Sequence, residues 1–187
     1  EAAMVGGADA VSLINTINSI TSVNLDTMSP EPSVDGKSTH GGYCGSAVKP
    51  IALSMVSEIA RNEATHQLPI SGIGGVSNWR DAAEFITLGA SNVQVCTAAM
   101  LFGFKIIADL CDGLSNWMEE KGYQNIEEFR GAAITNTTDW KDLNMNYKRI
   151  AYIDQDNCIQ CGRCFAACED TSHQSILKTA KNGGNEY

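Results

Sequence analysis

Three times before residue 120, a short apolar run is followed by a glycine-bearing loop and then by a helical pattern. "ADAVSLIN" (8–15) leads through a long loop into "KPIALSMVSEIARN" (49–62), and "LPISGIGG" (68–75) leads into "SNWRDAAEFITLGA" (77–90). "ASNVQVCTAAM" (90–100) runs into a helix expected over about residues 98–119. Strands that alternate with helices pair in parallel and connect by right-handed crossovers, so this part of the chain is expected to be an α/β fold built of β/α units. Pro50 suits a helix's first turn. Ser77 is expected to cap the second helix and Gly89 to end it. Along the third, Leu101, Phe104, Ala108, Cys111 and Met118 keep mostly three- and four-residue steps and read as a core stripe.

Composition narrows the class. Of 187 residues, 43% are hydrophobic and 19% charged, as in a soluble globular protein. A formal charge of −9 argues against nucleic acid as a partner, because that binding depends on clustered Lys and Arg. The most apolar stretch, "TAAMLFGFKIIADLC", is broken by Lys105 and Asp109 and falls short of the ~18–20 apolar residues a bilayer crossing needs, so no membrane span is expected. Seven cysteines, four of them between 158 and 168, together with the lack of a signal-like start, point to a reducing, cytoplasmic setting. The chain opens on Glu1 without Met and is expected to be a piece of a longer protein.

Chemistry concentrates in the loops. In "SGIGGVSN" a strand ends in Gly72, Gly74 and Gly75 just before a helix, where bare backbone lets a phosphate approach amide N–H groups at the helix's positive end. Many β/α turns use glycine for geometry alone, so this motif is ambiguous by itself. "QVCTAAM" repeats the arrangement at Cys96 and Thr97, and in (β/α)8 barrels phosphate is commonly held by the loops after strands seven and eight. The loop from residue 15 to 50 is longer than a connection requires and is expected to be functional. Gly41, Gly42 and Gly45 bracket Tyr43 and Cys44 within it. Asn15 and Thr16 stand at a strand's carboxyl end, where barrels place substrate contacts, and Asn can both donate and accept.

"DNCIQCGRCFAACEDT" (156–171) places Cys158, Cys161, Cys164 and Cys168 at gaps of two, two and three residues, the spacing that wraps a [4Fe-4S] cluster. Zinc is the chemical alternative, but it usually takes two separated Cys pairs or mixed Cys and His. His173 reads as a polar residue on a helix that follows the cysteine run, and His40 and His66 as loop or surface residues. The organisation expected is a barrel segment over 1–121, a connector over 122–147 that includes the small helix "NIEEFRG", and a partial ferredoxin-like module over 148–187 that begins with a short strand in "RIAYIDQD".

"INTI", "GKSTHGGYCGSAVKPIAL", "ISGIGGVSNWRDAAEFITLGASNVQVCTA", "DGLSNWM" and "CIQCGRCFAACEDTSHQSI" together resemble the dihydropyrimidine dehydrogenases, specifically the bacterial subunit that carries FMN and iron–sulfur clusters. The resemblance implies the last three β/α units of an FMN-binding (β/α)8 TIM barrel followed by a partial [4Fe-4S] module. It implies that Gly45 lies against the flavin, that Ile73, Gly74, Gly75, Cys96 and Thr97 hold its phosphate, and that Asn15 and Thr16 bind the pyrimidine. Cys158, Cys161 and Cys164 would ligate one cluster whose fourth ligand comes from a second run, leaving Cys168 to another cluster. The general-acid cysteine of that family would precede residue 1, as would the lysines expected near the flavin. Cys44 stands where the family usually has serine.

The implied activity is reversible reduction of the 5,6 double bond of uracil or thymine. Electrons would pass from NAD(P)H through a partner subunit carrying FAD, then through [4Fe-4S] clusters, to FMN, in a hetero-oligomer. "GIGG" lacks the GxGxxG pattern with its downstream acid, so no nicotinamide site is expected in this chain. Two other readings remain open: a dihydroorotate dehydrogenase-like FMN enzyme with a fused ferredoxin module, and a non-catalytic iron–sulfur electron carrier.

Overall fold

The computed structural model describes residues 1–147, 150–181 and 184–186. Its contacts divide the chain into two units, Glu1–Lys141 and Asp142–Tyr187. The first opens with one helical turn, α1 (Ala2–Val5), and a strand, β1 (Val11–Leu13). The long segment that follows is not a structureless loop. It folds into short antiparallel pairs: β2 (Ile17–Ser19) with β5 (Gly41–Tyr43), and β3 (Ser22–Asn24) with β4 (Ser29–Glu31). Pairing within the excursion satisfies backbone groups that a bare loop would leave to water.

After it come α2 (Lys49–Arg61), β6 (Ile70–Ile73), α3 (Trp79–Thr87), β7 (Asn92–Gln94), α4 (Thr97–Phe102) and α5 (Lys105–Lys121). Strands β1, β6 and β7 form a parallel sheet in that order, with Val11 opposite Ile70 and Ser71 opposite Asn92. The α/β reading of the sequence is therefore what the chain adopts. Period-two alternation gives the sheet two faces. Ile70 is buried against Ala52, Val56, Phe85 and Ala90, which form the core, whereas Ser12, Ser71 and Gln94 occupy the opposite face.

Two helix details depart from expectation. Asn78, not Ser77, caps α3: its Oδ1 accepts from the amides of Arg80 (2.9 Å) and Asp81 (3.2 Å), and Asp81 reaches back to the Asn78 amide. The signal was present as a capping box, Asn-x-x-acid, one residue downstream of the serine. The third helix is not continuous. Gly103, at φ +79°, ends α4, and α5 starts afresh at Lys105. The break resets the helical phase, so the stripe drawn through Leu101, Phe104, Ala108 and Cys111 is wrong. Leu101 and Phe104 are 70% and 87% exposed, and Ala108 and Cys111 are exposed too. The buried line runs through Ile106 and Leu110 and continues to half-buried Leu114 and Trp117.

Beyond α5, residues 122–141 stay with the first unit. Asn125 caps a short 3-10 turn, Ile126–Glu128. Phe129, 1% exposed, meets the Trp117 ring edge-on at 5.2 Å and lies 5.2 Å from Tyr123. The amides of Gly131 and Ala133 donate to the carbonyls of Ile86 and Thr87 at the end of α3, the Ile86 carbonyl accepting from the Gly89 amide as well.

The second unit contains α6 (Arg163–Asp170) and an antiparallel pair, β8 (Thr179–Lys181) with β9 (Gly184–Glu186). The strand expected in "RIAYIDQD" is not seen over 150–156, and Arg149 lies outside the described residues. Instead, Asp154 folds a turn by accepting from the amides of Asp156 (3.1 Å) and Asn157 (3.3 Å). Among the described residues no helix is long and apolar enough to cross a membrane.

Phe129→Ala and Phe104→Ala make the same chemical change at opposite burials. Phe129→Ala should cost about 3–5 kcal/mol of unfolding free energy and Phe104→Ala less than about 0.5 kcal/mol, both read from urea denaturation followed by tryptophan fluorescence.

Candidate functional site

Because β1, β6 and β7 run in parallel, their carboxyl ends share one edge of the sheet. The residues that follow each strand line a cavity of about 670 Å3, which falls within the size range of small-molecule sites. Asn15 and Thr16 come from the end of β1; Ile73, Gly74 and Gly75 from the end of β6; Cys96 and Thr97 from the end of β7. Gly45 joins them from the antiparallel excursion, which β5 returns to this edge by pairing with β2. The fold thus gathers all eight flavin and pyrimidine residues expected from the sequence around one space.

Two turns form the floor, and both depend on glycine. Gly74 and Gly75 have φ of +129° and +82°, a region that side chains other than glycine's rarely adopt. A Cβ on Gly75 would also lie 2.7 Å from the Gly45 carbonyl oxygen and 2.9 Å from Lys49 Cβ. The turn after β6 is therefore pressed against the turn that opens α2.

The polar groups are arranged locally. Asn15 Oδ1 accepts from the Thr16 amide at 2.7 Å and from Thr16 Oγ1 at 3.3 Å, so the group left for a ligand is the Asn15 Nδ2 donor. Thr97 Oγ1 donates to Cys44 Sγ at 3.4 Å, which places both at the wall beside Gly45. On the sheet's polar face, Gln94 Nε2 donates to Ser12 Oγ and Ser71 Oγ, each at 2.7 Å, and Ser71 Oγ donates to Asn92. Ser12 and Gln94 also line the cavity. Sequence reading did not select them, although the alternation in "SNVQV" marks Asn92 and Gln94 as one face.

Below the floor, Lys49 Nζ donates to Asp81 Oδ1 at 2.6 Å and to Glu84 Oε2 at 2.9 Å. Asp81, only 4% exposed, accepts through Oδ2 from Ser77 N (2.9 Å), Ser77 Oγ (2.8 Å), Asn78 N (3.1 Å) and Asn78 Nδ2 (2.8 Å). Burial resists ionisation of Asp81, but the hydrogen bonds from Lys49 and Ser77 outweigh it, and the carboxyl is held below the usual carboxylate range. Hydrogen bonds to Asp81 and Glu84 raise Lys49 above the usual lysine range. This network modifies the idea that a phosphate sits at the positive end of α3. Asn78 already satisfies the first-turn amides and Asp81 supplies the negative charge there. An anion in the cavity is left to the backbone of the turns after β6 and β7.

The cavity fits a phosphorylated flavin in two respects: its size, and the bare glycine backbone of the turns that line it. The cysteine run has the donor chemistry of an iron–sulfur site, soft thiolates carried by a turn and one helix. Cys164 and Cys168, four residues apart on α6, share a helix face. The Gln160 amide donates to Cys158 Sγ at 3.4 Å and the Ser175 amide to Cys168 Sγ at 3.1 Å. Among the described residues, no three Cys, His, Asp or Glu side chains close on a single metal ion. His173, His40 and His66 are exposed, and the His66 ring contacts the Glu63 carbonyl at 2.8 Å; His173 is not on a helix as expected, because α6 ends at Asp170.

A dihydroorotate dehydrogenase family model matches residues 1–118, and a 4Fe-4S dicluster domain model matches residues 151–185. The chain is 42% identical over 175 residues to the NAD-dependent dihydropyrimidine dehydrogenase subunit PreA of Escherichia coli, an alignment covering 94% of this chain and 43% of that protein. It is 44% identical over 140 residues to the chloroplastic dihydropyrimidine dehydrogenase (NADP(+)) of Arabidopsis thaliana, covering 73% of this chain and 33% of that one. It is 40% identical over 133 residues to the dihydroorotate dehydrogenase B (NAD(+)) catalytic subunit of Pyrococcus abyssi, covering 71% and 42% respectively. The chain thus spans less than half the length of these relatives.

The stability that Asp81 contributes is present above the ordinary carboxylate value and is lost as pH falls through its lower folded value. The part contributed by Lys49 is present below the ordinary lysine value and is lost as pH rises through its raised one. Asp81→Asn should lower stability near neutral pH by about 2–3 kcal/mol and make the fall below about pH 4 shallower by one proton, measured by urea unfolding across the acid range.

Proposed function

The chain belongs to the dihydroorotate dehydrogenase family, with a 4Fe-4S dicluster domain after the family's segment, and on that premise we propose that it serves an oxidoreductase that reduces the 5,6 double bond of uracil or thymine. The observation that carries this reading is the convergence of Asn15, Thr16, Gly45, Gly74, Gly75 and Thr97 on one cavity in a chain that also holds a four-cysteine run. The alignment with the dihydropyrimidine dehydrogenase subunit of Escherichia coli covers 94% of this chain, against 71% for the dihydroorotate dehydrogenase B subunit of Pyrococcus abyssi.

On this reading the parallel sheet is the last three β/α units of a TIM barrel, residues 1–121, with 122–147 connecting it to the cluster module. Main-chain amides of Ile73, Gly74, Gly75, Cys96 and Thr97 hold the phosphate of FMN, and Gly45 lies against the flavin. Asn15 directs its Nδ2 donor to a carbonyl oxygen of the pyrimidine, while Thr16 fixes the amide's orientation. FMN supplies the conversion of single electrons into a hydride. Cys158, Cys161 and Cys164 hold one [4Fe-4S] cluster and Cys168 serves a second. Electrons reach them from NAD(P)H through a partner subunit carrying FAD, in a hetero-oligomer. Seven free thiols fit a cytoplasmic setting.

The test is product analysis with the full-length protein purified anaerobically and supplied with an electron donor. Formation of dihydrouracil supports the proposal, conversion of dihydroorotate alone favours the related family activity, and a colourless protein without flavin or iron defeats it. Gly75→Val should abolish the flavin's visible absorption while leaving iron content near that of the unsubstituted protein. Cys164→Ser should do the reverse, removing the reduced cluster's paramagnetic signal while flavin is retained.

A further inference from the structure

The ion pair under the cavity floor lies outside every residue expected to touch flavin or substrate, yet it joins the two turns that form that floor. Lys49 is the first residue of α2, four positions after Gly45; Asp81 lies in the first turn of α3, six positions after Gly75. The turns touch, because a Cβ on Gly75 would meet both the Gly45 carbonyl and the Lys49 backbone amide, the latter at 3.1 Å. The Val48 amide donates to that same Gly45 carbonyl at 3.2 Å, closing the first turn. Asp81 closes the second by holding Ser77 and Asn78 through its other oxygen.

We propose that Lys49 and Asp81 form a positioning clamp that fixes the start of α3, and with it the Gly74–Gly75 turn on whose amides the phosphate reading depends, against the Gly45 turn at the start of α2, and thereby tunes the site for the phosphate end of the flavin in preference to its ring system. This rests on the FMN reading of the cavity. Without the ion pair, the buried carboxylate retains its α3 cap, so α3 persists, but nothing charged ties it to the start of α2. The two turns are then joined by van der Waals contact alone. A phosphate needs several amides at fixed separations, and small displacements weaken it directly. The isoalloxazine ring is held by shape and apolar contact over a wider area and is less sensitive to the same displacement. The second carboxylate, Glu84, is half-exposed and supports the lysine from solvent.

The discriminating measurement is the ratio of affinities for FMN and riboflavin, which differ only in the phosphate. Titrations use the full-length apoprotein and its Lys49→Met, Lys49→Gln and Lys49→Arg variants, following flavin fluorescence. Lys49→Met should weaken FMN by roughly tenfold or more and riboflavin by less than about threefold, and Lys49→Arg should restore most of the preference. If Lys49→Met does not fold, the milder Lys49→Gln carries the same expected ratio. An unchanged ratio, whether both ligands weaken equally or neither does, overturns the clamp and leaves the FMN reading intact. An unsubstituted protein that binds neither flavin overturns that reading and the clamp with it.

Discussion

Parallel pairing is the constraint on which the site depends. With β1, β6 and β7 all pointing the same way, the residues after each strand must emerge at one edge. Reversing any one strand would send Asn15, Gly74 or Thr97 to the opposite side. Parallel neighbours cannot be joined by a tight turn, so α2 and α3 are needed as crossovers, and they must be packed to hold the register. That packing is provided by Val56 and Phe85, both fully buried, against Ile70. The core and the cavity are thus two consequences of one arrangement: apolar side chains on the helix-covered face, chemistry at the strand ends.

The excursion between β1 and α2 adds what the parallel strands cannot. By pairing antiparallel to β2, β5 brings Cys44 and Gly45 back beside Thr97, a residue more than fifty positions away in sequence. The contact is polar and light, an Sγ with a hydroxyl, which suits a wall that must accommodate a ligand. Beneath it the charged network works in the opposite sense. Asp81 is buried with five hydrogen-bond donors around it, so its desolvation is compensated and its geometry fixed. The floor is stiff where the ligand's charge is expected and the wall adaptable where its ring is expected.

Much of this was legible in the sequence because it is local. The glycines after β6, Pro50 at the start of α2 and the period-two runs of β1 and β6 each declare a backbone requirement within a few residues. What escaped depended on distance or on phase. A stripe through Leu101 and Phe104 assumed one helix, and a single positive-φ glycine at 103 invalidated every position of it before Met118. The hairpins of residues 17–43 pair polar strands whose register no periodicity reveals. Phe129 sits in a stretch whose composition is that of a linker, and only that stretch's hydrogen bonds to the end of α3 and the Trp117 ring make it core. Nothing near Lys49 in the sequence marks its ion pairs, because its partners lie 32 and 35 positions away.

The second unit is held together on a different principle. Among residues 142–147 and 150–179 none is buried, and the most shielded include Ile153, Cys158, Phe165, Cys168 and Ile176, all only half-buried. Little apolar surface is buried among these residues, and apolar burial is the term that offsets chain entropy. Small modules of that kind obtain the missing stability from metal ligation, where binding free energy is folding free energy. The residues nearest to a core here are two of the four cysteines with apolar neighbours, and their sulfurs already accept hydrogen bonds from the Gln160 and Ser175 amides. Those amides would otherwise be spent on secondary structure. Directed at sulfur, they stabilise negative charge on the thiolate, the form that binds iron and the form that grows more negative each time a cluster is reduced. On the proposed reading, the groups that ligate the clusters are the same groups on which the module's fold depends.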